Sequence, residues 1–282
     1  MKNISIIIHT RNEESNIREC IISAQLLTSN VIVVDMDSSD DTKTIAIKSN
    51  VSIKTFPYSQ YVEPAREFGI NQAQTDWVFI LDADERMTKE LANEIELIIS
   101  NDDSSSPTYY TVSRKNIFGK KKWLKYGGWW PDQQIRLIYK PGFISWSKQI
   151  HSTPTFKGTK GELQNPILHY FHGDIHEMVE KTMIFEDIES DLLFKANKKV
   201  NTLTFFRKFL GELYRRLIKH RGFMDGSIGI IESVYQAYSK TITYLFLYEK
   251  SDKICGPRHG PLGNMSPLRV LSPSNGFSHN QC

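Results

Sequence analysis

A short apolar segment that ends abruptly in acidic residues is the feature that most constrains the fold. Residues 77–81 are all apolar, and Asp82, Asp84 and Glu85 follow at once. A run of this length without turn residues predicts a buried strand. Acids at its carboxyl end would lie at the edge where open α/β sheets bind ligands, and two carboxylates could face one Mg²⁺ or Mn²⁺. The alternative is a solvated acidic turn that begins the next helix, with Thr88 or Asp84 as N-cap.

The first hundred residues alternate between apolar and amphipathic segments. We expect strands at 4–8, 30–35, 51–56 and 77–81, and helices at 15–27, 42–49, 63–74 and 89–100. Strands that alternate with helices predict a parallel sheet with helices on both faces, an α/β fold.

The pattern changes after the polar segment 101–107. Residues 109–113 and 134–139 resemble antiparallel strands around a long insertion, with more strand and turn at 142–160. Helical patterns follow at 175–195, 203–221 and 228–249. The tail from 253 to 282 contains four prolines and four glycines, and we expect it to be disordered.

Composition excludes several classes of protein. A net charge of +3 argues against a general nucleic-acid binder, and three distant cysteines form no disulfide framework and no cysteine zinc site. There is no apolar stretch of 18 residues, and the N-terminus lacks the pattern of a signal peptide. We therefore expect a cytoplasmic protein.

A second predicted strand also ends in an acid, Asp35. If it lies near the strand that ends at Asp82, both acids face one crevice that suits a nucleotide, whose ribose or base could donate to a carboxylate. The sequence contains neither of the two glycine-rich motifs that bind phosphates, G-x-G-x-x-G and G-x-x-x-x-G-K-[ST]. Phosphates must then be neutralised by other means, which favours a metal at Asp82 and Asp84.

Several segments, taken in order, resemble the family 2 glycosyltransferases, and more closely the bacterial enzymes that assemble lipopolysaccharide core and capsule. The segments are 6–14 (IIIHTRNEE), 33–42 (VVDMDSSDDT), 63–66 (EPAR), 81–85 (LDADE), 127–137 (GGWWPDQQIRL) and 222–226 (GFMDG). The resemblance covers roughly residues 4–249. It implies a GT-A fold, a nucleotide-sugar donor, a divalent metal (Mn²⁺ or Mg²⁺) and inversion at the anomeric carbon.

The resemblance also implies roles for single residues. Thr10, Asn12 and Glu13 match the loop that meets the nucleotide, and Asp35 matches the acid at the uridine or ribose. Asp82 and Asp84 match the D-x-D pair, with Asp84 as the more direct metal ligand. Arg66 matches a position near the donor phosphates, with a surface cation as the alternative. The expected organisation is a GT-A domain at 1–175, with a nucleotide half (1–100) and an acceptor half (101–175), a helical region at 176–250, and a disordered tail at 251–282.

The acceptor hydroxyl needs a base, and Asp132 is our candidate because it follows Pro131 in an aromatic, glycine-flanked segment. Its alternative is a turn acid. Trp129 and Trp130 could stack on sugars or belong to the core. Arg136 could bind the diphosphate or hold Asp132.

Histidines offer further metal ligands. His151 or His169 could join the donor-site metal, whereas a zinc site from His169, His172 and His176 is disfavoured because a strand leads into them. Two positions depart from the family pattern: Ser152 replaces a frequent Glu, and Asp37 replaces a frequent Gly.

Residues 203–221 combine paired apolar residues every four positions with basic ones. Six basic residues oppose only Glu212 on this segment. This pattern is typical of an interfacial helix on anionic lipid, and the alternative is a core-facing helix with a basic outer face. We expect peripheral contact with the inner face of the cell membrane.

The favoured interpretation is an inverting, metal-dependent hexosyltransferase with a UDP-sugar donor and a lipid-linked or polysaccharide acceptor. One rival is a nucleotidyltransferase, although the loop at 10–14 is acidic rather than glycine-rich and basic. The other rival is a non-catalytic sugar- or lipid-binding protein of the same fold.

Overall fold

The structure, a computed structural model, describes residues 3–101, 106–148, 152–171 and 175–252. Its first part alternates as predicted. The elements are β1 (Ile4–Thr10), α1 (Ile17–Ala24), β2 (Val31–Asp35), α2 (Thr42–Lys48), β3 (Ser52–Thr55), α3 (Glu63–Gln72), β4 (Trp77–Asp82), β5 (Glu85–Arg86) and α4 (Lys89–Ser100).

The second part adds strands and then long helices. The strands are β6 (Tyr109–Phe118), β7 (Lys122–Trp123), β8 (Asp132–Tyr139), β9 (Phe143–Trp146), β10 (Pro154–Phe156), β11 (Lys160–Glu162) and β12 (Ile167–Phe171), with a 3₁₀ turn at Lys140–Gly142. The helices are α5 (Ile175–Lys195), α6 (Thr202–Leu213) and α7 (Gly226–Asp252), with a π-helical turn (Tyr214–Lys219) and a 3₁₀ turn (Gly222–Asp225) between the last two.

One large sheet forms the centre of the molecule. Its strand order is β3-β2-β1-β4-β8-β6-β12-β5, with β7 and β11 paired to β6. The first four strands are mutually parallel, and β8 pairs antiparallel with both β4 and β6. The predicted α/β fold with a mostly parallel sheet is confirmed.

Strands β1, β2 and β4 are buried on both sides because helices cover both faces of the sheet there. One buried cluster joins Ile6, Val33 and Phe79 to α1 and α4. The other joins Ile7, Val34 and Ile80 to α3. Alternate residues of each strand enter opposite clusters, as the pleat requires.

The acidic turn after β4 is not a solvated one. Glu85 is fully buried in the short strand β5, which pairs with β12. The helix N-cap is Thr88, whose hydroxyl accepts a hydrogen bond from the Leu91 amide at 3.1 Å. Thr88 as N-cap is therefore confirmed, whereas the buried Glu85 contradicts a turn whose acids are all solvated.

The C-terminal helices pack against one another, with α7 in contact with both α5 and α6. No helix within the described residues is long and apolar enough to cross a membrane. The tail from 253 onwards lies outside the described residues, so the prediction of disorder there stays untested.

Candidate active site at the strand ends

The carboxyl ends of three neighbouring strands meet at one edge of the sheet. Strand β1 lies between β2 and β4, and the register pairs Thr10 with Asp35 on one side and His9 with Asp82 on the other. The two strand-end acids predicted from the sequence therefore flank the same strand. This is the ligand-binding edge of an open α/β sheet.

A buried chain of polar groups fixes Asp82 from the β1 side. His9 lies 3.1 Å from the Ala65 carbonyl through Nε2 and 3.2 Å from Arg66 Nη1 through Nδ1. Arginine only donates, so Nδ1 accepts and Nε2 carries the proton. Burial, with Arg66 beside it, lowers the pKa of His9 to about 3, so the ring stays neutral. Arg66 then reaches Asp82 Oδ1 at 2.7 Å.

Arg136 fixes Asp82 from the other side. Its Nη2 donates to Asp82 Oδ2 at 2.7 Å and to Glu85 Oε1 at 2.6 Å. Burial alone would raise the pKa of Asp82, but Arg136 and Arg66 outweigh it and hold that pKa far below its usual range. Each oxygen of Asp82 thus accepts from an arginine.

Two alternatives for the arginines are wrong. Arg66 is buried rather than a surface cation, with 5% of its surface exposed. Arg136 contacts Asp82 and Glu85, so it does not hold Asp132. Its predicted contact with the donor stays a prediction.

Asp84 begins a second series of contacts, which leads through His169 and Asn116 to Asp132. Its Oδ2 lies 3.3 Å from His169 Nε2, and His169 Nδ1 lies 2.6 Å from Asn116 Oδ1. Burial favours the neutral carboxyl, yet His169 holds the pKa of Asp84 below its usual value. Asp84 is therefore ionised at neutral pH.

Asp132 is the first residue of β8 and the last member of this series of contacts. Its Oδ2 accepts from Arg114 Nε at 2.9 Å and from Asn116 Nδ2 at 3.1 Å, and its Oδ1 accepts from Gln134 at 2.9 Å. Burial opposes the charge, but Arg114, Gln134 and Asn116 keep the pKa of Asp132 lowered. It is thus ionised and held by residues of β6 and of β8 itself rather than being a free turn acid.

The predicted nucleotide loop folds back on the segment after β2. Asn12 has φ of 51°, and its side-chain oxygen accepts from the Ser39 amide at 2.8 Å. Asp37 has φ of 62°, a left-handed conformation that glycine, the residue implied at this position by the family resemblance, adopts without steric cost. Glu13 lies near Asp84, and burial together with that charge raises its pKa.

Two oxygens at this edge are buried without a partner. They are Thr10 Oγ1 and Asp35 Oδ1. The other oxygen of Asp35 accepts from the Ser38 amide and lies 3.2 Å from Lys43 Nζ. Because buried polar atoms nearly always have partners, this pair marks a place where ligand donors would fit.

The predicted acceptor residues occupy the loop between β7 and β8. Both Trp129 and Trp130 are half-buried, so neither belongs to the sealed core. Trp129 packs 4.8 Å from the Phe171 ring, and Trp130 meets Trp123 edge-on at 5.5 Å. His151 lies outside the described residues, as do the side chains of His172 and His176, so those ligand hypotheses stay untested.

The residues at this edge fit a divalent cation only in part. Within the described residues no group of three His, Cys, Asp or Glu side chains is arranged to hold a metal. Asp84 and His169 do form a pair 3.3 Å apart, close to the roughly 3 Å between adjacent ligands about 2.1 Å from one octahedral ion. A pair of protein ligands completed by substrate phosphates is an ordinary arrangement for such ions.

Sequence reasoning missed several residues that organise this edge. Arg114 and Asn116 on β6 hold Asp132, and Glu85 anchors two arginines. Nothing local in the sequence marks Arg114 or Asn116, because each reaches Asp132 across a strand pair. Glu85 belonged to the predicted acidic segment, but its arginine partners were not predicted. His169 was a predicted candidate ligand, and it lies 3.3 Å from Asp84.

Comparison with known proteins places this arrangement in a family. A family model described as Glycosyl transferase family 2 matches residues 5–157, more than half of the chain. The chain belongs to glycosyl transferase family 2. The matched region contains Asp35, Asp82, Asp84 and Asp132, which confirms the resemblance drawn from the sequence motifs.

Relatives extend the similarity over most of the chain. An uncharacterized glycosyltransferase of Rickettsia conorii is 27% identical over 89% of this chain and 92% of its own length. The lipopolysaccharide core biosynthesis glycosyltransferase LpsC of Rhizobium meliloti is 23% identical over 88% of this chain and 92% of its own. Among solved structures, S. aureus TarS 1–349 in complex with UDP-GlcNAc is 14% identical over 90% of this chain and 92% of that one, with a TM-score of 0.46.

Proposed function

We propose that this protein is an inverting hexosyltransferase that moves a sugar from a UDP-sugar to a lipid-linked or polysaccharide acceptor in bacterial cell-surface glycan assembly. The observation that carries the proposal is the convergence of Asp35, Asp84 and Asp132 on one edge of the sheet. Family membership and the similarity to LpsC, named as a lipopolysaccharide core enzyme, support the class of reaction and of product.

The donor nucleotide would lie over the ends of β1 and β2. Thr10 Oγ1 and Asp35 Oδ1 have no partner there, and the N–H of a base or the hydroxyls of a ribose would supply donors to both. Arg66 and Arg136 stay candidate contacts of the diphosphate, although Asp82 and Glu85 balance their charges.

Asp84 and His169 would hold a divalent metal, with Mn²⁺ or Mg²⁺ as the ion that suits a carboxylate and diphosphate oxygens. When bound, such an ion supplies positive charge beside the diphosphate. Asp82 and His151 stay candidate ligands. Because the two oxygens of Asp82 already accept from Arg66 and Arg136, Asp84 is the stronger candidate.

Asp132 would act as the base. The acceptor oxygen forms a bond to the anomeric carbon while the bond from that carbon to the diphosphate oxygen breaks, and its electron pair leaves with the diphosphate. The hydroxyl proton passes to Asp132, whose Oδ1 accepts a single described hydrogen bond, from Gln134. The lowered pKa of Asp132 keeps it ionised and able to accept at neutral pH.

We also propose that residues 203–221 contact an anionic membrane, which would place the enzyme on the inner face of the cell membrane. In each apolar pair one member is half-buried and the other is exposed, and Phe205, a half-buried member, meets Tyr248 of α7 with ring centres 6.1 Å apart. The exposed stripe has Leu203 at 72%, Phe206 at 63%, Leu210 at 58%, Tyr214 at 61% and Ile218 at 51%. The exposed stripe with its basic neighbours is the kind of surface that suits anionic lipid, which supports the proposal.

Vesicle binding tests the membrane contact. We expect the wild type to float with phosphatidylglycerol vesicles at low salt, and the variant Phe206→Ser/Leu210→Ser to bind at least tenfold more weakly. Ile47→Ser is the matched control, because Ile47 is 67% exposed on α2, away from the stripe. Equal binding by all three proteins would contradict the proposal.

A donor screen tests the reaction. UDP-, GDP-, CMP- and dTDP-sugars are titrated into the wild type by calorimetry, each with Mn²⁺ and with EDTA. We expect UDP-sugars alone to bind with metal present. Binding of another nucleotide class would correct the donor, and no binding of any donor would favour a non-catalytic sugar- or lipid-binding protein. The nucleotidyltransferase alternative has no support from the family assignment.

A further inference from the structure

The acceptor loop, defined as residues 124–131 between β7 and β8, is held from behind by a segment about 100 residues later in the chain. Asp225 Oδ2 accepts two hydrogen bonds from consecutive loop amides, Lys125 N at 2.9 Å and Tyr126 N at 2.7 Å. Asp225 is 7% exposed. A buried carboxylate that satisfies two adjacent backbone donors is a strong local constraint, because hydrogen bonds to a charged group are the stronger kind.

The next loop residue is held by the same segment. The Gly127 amide donates to the His220 carbonyl at 2.9 Å, and Arg216 Nη1 donates to the Gly127 carbonyl at 3.2 Å. The Arg216 guanidinium also lies 5.3 Å from the centre of the Trp129 ring, within range of a cation–π contact. The backbone groups of three successive loop residues, 125–127, thus all have hydrogen-bond partners within residues 216–225.

Close packing keeps this segment in place on α7. A Cβ at Gly222 would lie 2.5 Å from Ser233 Oγ and 2.9 Å from the Arg216 carbonyl oxygen. A Cβ at Gly229 would lie 2.1 Å from the Gly222 carbonyl oxygen. Only glycine fits at either position without a backbone shift, so the turn and the helix form one tightly packed unit.

The far end of the acceptor loop connects to the candidate base. Asn116 Nδ2 donates to the Trp129 carbonyl at 3.1 Å and to Asp132 Oδ2 at 3.1 Å. The loop is therefore fixed at one end by the C-terminal segment and at the other by the residue that positions Asp132. A displacement of Asp225 would therefore move the loop and Trp129, and it would leave the strand ends around Asp35 and Asp82 in place.

We propose that Arg216 and Asp225 are positioning residues for the acceptor: they act through the backbone at 125–127 to fix Trp129 at the mouth of the site, and they touch neither donor nor metal. This inference rests on the proposed function. It also explains why the turn Gly222–Asp225, which lies far from the sheet edge in sequence, belongs with the transferase motifs.

Hydrogen exchange tests the clamp without any acceptor. In Asp225→Ala we expect the amides of Lys125 and Tyr126 to exchange about tenfold faster or more, because both lose their charged acceptor, while β1 and β4 keep wild-type exchange. Asp225→Asn keeps an acceptor oxygen and restores most of the protection. Arg207→Ala, a change at an exposed basic residue of α6, is the matched control for Arg216→Ala. Wild-type exchange at Lys125 and Tyr126 in Asp225→Ala would overturn the proposal.

The acceptor arm uses octyl glucoside, galactoside and mannoside as probes, with nucleotide release as the readout. We expect Asp225→Ala and Arg216→Ala to need at least tenfold more glycoside for half-maximal release, with metal-dependent UDP-sugar affinity unchanged and Asp225→Asn near wild type. If the two variants lost UDP-sugar affinity as much as they lost response to glycoside, the proposal would be overturned. It would also be overturned if the glycosides changed neither nucleotide release nor loop exchange in the wild type. A wild type that binds no nucleotide-sugar would instead overturn the proposed function, while loop exchange would still decide the clamp.

Discussion

The donor edge and the C-terminal helices bury their charges in opposite ways. At the donor edge every buried ion has a partner: Arg66 and Arg136 pair with Asp82, and Glu85 accepts from Arg136. In α7, Glu232 is 1% exposed, its Oε1 accepts from Gln236, and its Oε2 has no partner. Burial consequently raises the pKa of Glu232 to about 7, although Gln236 and Arg216 oppose the shift.

This difference shows that the two regions are held in place by different kinds of contact. The donor edge is fixed by strand register and by charge pairs that would be costly to separate. The acceptor side is fixed by a loop clamped from a separate helical layer. We therefore expect substitutions at the donor edge to affect stability and donor binding together, and those on the acceptor side to affect turnover selectively.

The largest expected effect is on turnover at Asp132. Asp132→Asn removes the base, so glycoside-dependent nucleotide release should fall by about 10²–10⁴-fold, with UDP-sugar affinity within about twofold of wild type. Gln133→Glu is the control, since it adds a carboxylate next to that position. If Asp132→Asn lost UDP-sugar affinity as strongly as turnover, the proposed separation between donor binding and the acceptor side would be contradicted.

The next effect is on stability at the donor edge. Arg136→Met leaves Asp82 and Glu85 facing each other without their shared cation, so the free energy of unfolding should fall by about 3–5 kcal/mol. Urea unfolding followed by circular dichroism measures it. Arg207→Met, at an exposed site of α6, should change stability by less than about 0.5 kcal/mol. A loss below about 1 kcal/mol in Arg136→Met would show that the paired charges are not a structural constraint.

The smallest effect, and of opposite sign, is expected at Glu232. Its folded pKa of about 7 lies above the usual value of about 4.5, so the folded state holds the proton more tightly than the unfolded state. Stability should then fall as pH rises from about 4.5 to about 7. Glu232→Gln removes that loss and should add up to about 3 kcal/mol at pH 8 but little at pH 4. Equal stabilities of the two proteins at pH 8 would count against an unpaired acid.

The sequence predicts the donor half well because its signals are local. Periodicity located β4 and α4 closely, and α5 begins and ends at the predicted residues. The strand-end placement of Asp35 and Asp82 followed from the alternation of elements alone. Helix ends were less accurate: α1 is shorter at both ends than its apolar pattern indicates.

The acceptor side was less predictable because its contacts join distant residues. Arg114 reaches Asp132 across a strand pair, and Asp225 reaches Lys125 over 100 positions. Neither leaves a periodic trace. Even the paired apolar pattern of 203–221 left two alternatives open, and only the folded structure divides each pair into a half-buried and an exposed member.

The most direct test of the central claim, that the edge around Asp84 binds a nucleotide-sugar with a divalent metal, is a calorimetric titration of UDP-sugar with Mn²⁺ or with EDTA. The wild type and Asp76→Asn, altered at the residue that precedes the opposite end of β4, should bind with Mn²⁺ and at least tenfold more weakly with EDTA. Asp84→Asn should bind weakly under both conditions. Equal affinity of Asp84→Asn and wild type with Mn²⁺ would contradict the account.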